Sequence, residues 1–71
     1  EDVPLLADHF LRIYAAKHNK RPTGFTDAAL HLMGNYGWPG NVRELENAVE
    51  RAVVLCRGTL VDVDDLPPEL R

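Results

Sequence analysis

The sequence predicts an all-α fold, a small bundle of three to four helices, on three observations. Apolar residues recur at helical spacing in three separate segments. Two of those segments open on capping residues, Thr26 and Asn41. Between those two, glycine and proline crowd the stretch from Gly34 to Gly40, which separates the segments instead of extending them. With 71 residues the chain makes one domain at most, so 1–71 reads as a single unit. Its hydrophobic content of 45% is ordinary for a folded protein. A domain this small works near the limit where one core supplies enough stability, about 3–5 kcal/mol.

The first helix is expected over 4–17. Pro4 suits a first helical turn, where its missing N–H is not needed, and Asp2 adds negative charge at that end. Val3, Leu6, Phe10, Ile13 and Tyr14 share one face, with Ala7 and Leu11 on its shoulder; Leu5 falls among the polar residues. Asn19 to Pro22 breaks the pattern. The second helix is expected over 27–34, with Thr26 as N-cap, Phe25 and Leu30 as a hydrophobic staple, and an end around Gly34. Tyr36 and Trp38, in the loop that follows, are expected to anchor on the core.

The third helix is expected over 42–57. Asn41 is the natural N-cap, Glu44 stands three residues on as in a capping box, and Gly58 ends it. Val42, Leu45, Ala48, Val49, Ala52, Val53, Leu55 and Cys56 form its apolar arc. Val54 falls on the polar side, where packing against the tail would explain it. In that tail a short turn over 63–66 is expected, capped by Asp62 and stopped by Pro67 and Pro68.

Composition excludes more than it assigns. The net charge is −3, from 8 Lys and Arg against 11 Asp and Glu, the opposite of the balance that grips duplex phosphates. A short basic group, Lys17, Lys20 and Arg21, reads as a solvated loop with the capacity to touch something acidic. Cys56 is the single cysteine and sits in an apolar run, so a buried thiol is expected. No apolar stretch is long enough for a membrane helix and no leader pattern opens the chain, which makes the cytoplasm the expected compartment. The sequence contains no serine, and hence no Ser-centred triad. His9, His18 and His31 lack the HExxH spacing of a zinc site. Asp62, Asp64 and Asp65 lack the glycine and distal glutamate of a calcium loop. A phosphate-binding glycine loop is also missing.

Arg43 stands out. It occupies the first turn of the third helix, where free N–H groups and the macrodipole already present positive charge, at a cost of roughly 0.3–1 kcal/mol. An arriving anion would offset that cost, and an arginine fork beside a helix N-terminus suits a phosphate group. Alternatively Arg43 pairs with Glu46 or Glu50 on the same polar arc. The residue pattern alone leaves both open.

The stretch Trp38-Pro39-Gly40-Asn41-Val42-Arg43-Glu44-Leu45-Glu46-Asn47 resembles the second sensor motif in the AAA+ domain of sigma-54-dependent, NtrC-like bacterial transcription activators. The opening EDVPLLADHFL, the segment GFTDAAL and Asp65-Leu66-Pro67 resemble other parts of that family's lid subdomain, so the resemblance spans nearly the whole chain. Gly37 stands where the pattern has a polar residue. The resemblance implies an AAA+ lid lying over bound ATP, with Arg43 as the sensor II arginine near the γ-phosphate. Gly40, Asn41 and Val42 would support it, and Leu5 would lie at the subdomain junction. An upstream α/β subdomain of the same chain would hold the nucleotide and its magnesium ion. Neighbouring subunits would close a ring of six or seven, sigma-54 RNA polymerase would be the target, and a downstream helix-turn-helix would read DNA. On this reading the chain, from Glu1 to Arg71, is part of a longer gene product. By itself it neither hydrolyses ATP nor binds sigma-54 or promoter DNA. Two other classes fit less well. A helix-turn-helix DNA reader would turn Glu44, Glu46 and Glu50 toward phosphates, and a stand-alone helical module would bind a partner peptide through its apolar surface.

Overall fold

The three helical segments fold as separate helices in the computed structural model, which describes residues 3–71. They are α1 (Val3–Lys17), α2 (Asp27–Asn35) and α3 (Asn41–Leu55). Two short 3-10 turns, Val63–Asp65 and Pro68–Leu70, follow. The all-α bundle is therefore as expected. The charge expected of Asp2 at the start of α1 lies outside the described residues.

The core explains why these helices form. α3 buries Leu45, Ala48, Val49, Ala52 and Val53, the i, i+3, i+4 spacing of one helical stripe. α1 meets it with Ala7 and Leu11 fully buried and Leu6, Phe10 and Tyr14 packed at the margin. The inward face of α1 is thus centred on what the sequence placed at the shoulder, and Ile13 is left 46% exposed. α2 contributes Ala29 and Met33. Cys56 is buried as expected, whereas Val54 is 48% exposed. Cross-links advance in the same sense along α1 and α3, from Tyr14–Glu46 to His18–Glu50, so these two helices run parallel.

Local chemistry sets the helix ends. α1 stops in a Schellman motif: Lys20 N–H donates to Ala15 C=O (2.9 Å), Asn19 N–H to Ala16 C=O, and Asn19 takes the left-handed conformation at φ 54°. The Thr26 hydroxyl caps α2 by accepting from the Ala29 N–H at 3.1 Å. It also donates to Asp62, whose carboxylate caps the first 3-10 turn. One side-chain bond therefore ties two caps together.

Helix boundaries differ from expectation at several points, α1 and α3 each starting one residue early, at Val3 and Asn41. α2 runs through Gly34 to Asn35, because a short helix tolerates an exposed glycine near its end. α3 ends at Leu55 with Cys56 extended (φ −66°, ψ 132°), not in a left-handed turn at Gly58. The cause is a pair of two-residue strands that the sequence did not announce, β1 (Gly24–Phe25) and β2 (Leu60–Val61), bonded in parallel. β2 draws the chain straight out of α3. In the tail, the first 3-10 turn ends at Asp65 with Leu66 as its C-cap, directly before Pro67 as expected; Pro67 is buried, and Pro68 opens a second 3-10 turn, which seats Leu70 on the core.

Candidate functional site

The loop from Tyr36 to Asn41 positions the start of α3. The Trp38 indole N–H donates to the Met33 carbonyl at 2.9 Å, satisfying one of the orphan acceptors at the end of α2. Tyr36 packs edge-on against the indole, ring centroids 4.8 Å apart. Asn41 N–H then donates to Trp38 C=O at 2.8 Å, closing a tight turn. Pro39 occupies its second position, as Pro favours, and Gly40 (φ −86°, ψ 11°) has the angles of its third.

Asn41 is not the cap that the sequence predicts. It lies in the left-handed region at φ 50°, which Asn tolerates, and Gly40 is the N-cap with no side chain to offer. Glu44 compensates by reaching back to the Gly40 N–H at 2.7 Å, so the reciprocal box is only half formed. Its second oxygen accepts from the Tyr36 hydroxyl at 3.0 Å, which raises the Tyr36 pKa. The backbone angles of Gly40 would suit any residue. Space is tight instead: a Cβ there would lie 3.0 Å from the Glu44 Cβ and 3.1 Å from its Oε1, so the Glu44 side chain would have to give by a few tenths of an ångström.

Arg43 stands exposed one turn into α3, on the wall of a groove of about 380 Å³. Asn47 and Arg51 continue its stripe at i+4 and i+8, and Pro67, Glu69 and Leu70 line the same groove from the tail. Arg43 makes no ion pair among the described residues. Glu46 accepts from the Tyr14 hydroxyl at 2.5 Å, and Glu50 is held by His18 at 2.9 Å and Lys17 at 3.5 Å. In this structure Arg43 pairs with neither Glu46 nor Glu50. Both carboxylates are held from the α1 side.

The α1–α3 polar seam sets its own pH behaviour. The bond to Glu46 pushes the Tyr14 hydroxyl up to about 12. The hydrogen bond from His18, aided by Lys17, holds the Glu50 carboxyl below its usual range against a smaller opposing effect of burial. A carboxyl depressed on folding contributes stability above its unfolded value and loses that contribution as pH falls through the folded value. Glu50→Gln is expected to lower the melting temperature at neutral pH and to match the parent once acid has protonated Glu50. A gap unchanged from neutral to strongly acid pH, read by thermal melts, would show that charge is not what Glu50 supplies.

The other expected site residues divide. Gly40 shares the groove with Arg43, while Asn41 and Val42 line a second one of about 290 Å³ with Val3 and Leu6. Trp38 walls both grooves. Leu5 lines neither groove and is 68% exposed on the first turn of α1. Sequence reasoning missed the double role of Glu44 and the place of Asn47 and Arg51 beside Arg43; the i, i+4, i+8 spacing was the available signal for the latter pair. Among the described residues no group of His, Cys, Asp and Glu could hold a metal ion, and no helix is long and apolar enough to cross a membrane.

Comparison with known proteins gives consistent matches. The family model described as AAA+ ATPase lid domain matches residues 1–71. The chain is 57% identical over 67 residues to the transcriptional regulatory protein ZraR of Salmonella typhi, covering 94% of this chain. It is 41% identical over 71 residues, 100% of this chain, to the regulatory protein AtoC of Escherichia coli. The chain spans only 15% of the length of either relative. The crystal structure of NtrX from Brucella abortus in complex with ADP superposes with a TM-score of 0.85 at 36% identity, covering 97% of this chain and 17% of that one.

Proposed function

Because the chain belongs to the AAA+ ATPase lid domain family, we propose that it is the lid of a sigma-54-dependent bacterial transcription activator and that Arg43 is its nucleotide sensor. One observation carries the assignment of Arg43. Its guanidinium is exposed at the start of α3, and every carboxylate within reach on that helix is already engaged. A phosphate suits that fork: Arg43 offers bidentate donors and Arg51 lies in the same groove, while of the two acids that line it Glu44 has its oxygens tied to Gly40 and Tyr36 and Glu69 stands exposed on the tail.

ATP, with magnesium held by an upstream α/β subdomain, would supply the phosphoryl group whose charge Arg43 meets. The chain's own residues provide position. Gly40 and Asn41 fix the turn, Glu44 pins it, and Trp38 ties it to α2. Arg43 is therefore aimed by a braced scaffold and moves with the whole lid, so its contact with the γ-phosphate couples lid angle to nucleotide state. Leu5 and Val42, 68% and 42% exposed, present apolar surface on the first turns of α1 and α3 for the upstream subdomain to cover. In the whole protein, subunits would assemble in a six- or seven-membered ring in the cytoplasm. Hydrolysis would remodel sigma-54 RNA polymerase, and a downstream helix-turn-helix would choose the promoter.

The intact protein is expected to hydrolyse ATP and to open promoter DNA only with the sigma-54 form of the polymerase. Hydrolysis with no sigma-54-dependent transcript in a purified system would remove the activator reading and leave the lid.

A further inference from the structure

The chain's 8 Lys and Arg side chains are unequally employed. Arg12, Lys17 and Arg71 are in ion pairs with Asp8, Glu50 and Asp64. Arg43 and Arg51 line the groove on α3. The remaining three, Lys20, Arg21 and Arg57, are exposed and converge on one pocket of about 330 Å³. Asn19, Cys56 and Gly58 complete its wall. No carboxylate lines it, and none of the three cations is ion-paired among the described residues. Arg57 comes from 36 positions beyond Arg21 in the sequence, brought there because parallel α1 and α3 end side by side.

Three like charges at one place oppose folding unless something offsets them. The C-termini of α1 and α3 point here, each equivalent to roughly half a negative charge, which leaves roughly two positive charges uncompensated. A duplex is a poor candidate for that excess. Three contacts would neutralise few of the closely spaced phosphates along a duplex. Carboxylates match better: Arg21 and Arg57 offer planar forks that take a carboxylate in bidentate fashion, Lys20 adds a point charge, and the concave pocket admits side chains.

We propose that Lys20, Arg21 and Arg57 form a docking patch for an acidic segment of a partner protein, a run of Asp or Glu side chains. The patch is separate from the groove of Arg43 and does not rest on the nucleotide reading. The test uses the intact protein and a fluorescent deca-glutamate peptide, read by anisotropy at low ionic strength. The parent is expected to bind, with affinity that falls as salt rises. Replacing Lys20, Arg21 and Arg57 together by serine is expected to weaken binding at least about tenfold, while Arg12→Ser leaves it unchanged. Equal peptide affinity in the triple variant and the parent overturns the proposal. So does a duplex oligonucleotide or inorganic phosphate that binds this patch more tightly than the peptide. A triple variant that melts earlier yet keeps its peptide affinity would show that the three cations only serve the helix ends.

Discussion

Arg43→Ala is expected to cut ATP hydrolysis by the intact protein on the order of 10²-fold, the usual loss when one donor to developing transition-state charge is removed. Transcription activation should fall with it. Stability should not. Arg43 is exposed and makes no ion pair among the described residues, so little stability rests on its side chain, and a cation in the first turn opposes the helix dipole by about 0.3–1 kcal/mol. The variant's melting temperature is therefore expected to stay level or rise slightly. A lid that loses function while keeping or gaining stability marks a residue maintained for contact with a ligand. Hydrolysis at the parental rate would show that Arg43 senses nothing, and a collapse in melting temperature would show that it is structural.

Trp38→Ala is expected to have the opposite profile. The indole is 8% exposed, lies against Tyr36 and bonds the Met33 carbonyl. Its removal costs roughly 3–5 kcal/mol, comparable with the whole stability available to a domain of this size, about 3–5 kcal/mol. The lid should unfold or melt far below the parent. The backbone of Trp38 sits at φ 50°, a strained conformation for a bulky residue, and it persists because the side chain is anchored on both sides. Trp38→Phe separates the two contributions. It keeps a ring in the core but leaves the Met33 carbonyl without its donor, for an expected loss of about 1–3 kcal/mol. Urea denaturation of both variants reads the difference, and a parental midpoint for Trp38→Ala would mean that the indole holds nothing.

The helices were legible because each carries its own period. Leu45, Ala48, Val49, Ala52 and Val53 declare a helix face with no knowledge of what covers it, and Thr26 and Asp62 declare caps from immediate neighbours. What was not legible depends on distant pairings. β1 and β2 hold two residues each, too few to show alternation, and their register joins positions 36 apart. Their pull straightens the end of α3 at Cys56 and leaves Gly58 without a capping role. At the other end, periodicity ranks Asn41 as a cap but cannot see that the turn from Trp38 has already put it at φ 50° and passed the work to Glu44.

The candidate site shows the same division. WPGNVRELEN points at Arg43, yet what its neighbours Glu46 and Glu50 pair with depended on Tyr14 and Lys17 of α1 and on His18 just beyond it. The basic patch is similar: Lys20 and Arg21 stand together in sequence, while the third cation, Arg57, joins only through the parallel packing of α1 and α3.

The measurement that tests the central claim most directly is the affinity of the intact protein for a non-hydrolysable ATP analogue and for ADP, before and after Arg43→Ala. An arginine that meets the γ-phosphate through a charge-assisted bond predicts a loss of about tenfold or more for the ATP analogue and little change for ADP. An equal loss for both nucleotides, or no loss for either, would contradict the assignment of Arg43 as the residue that distinguishes the two states.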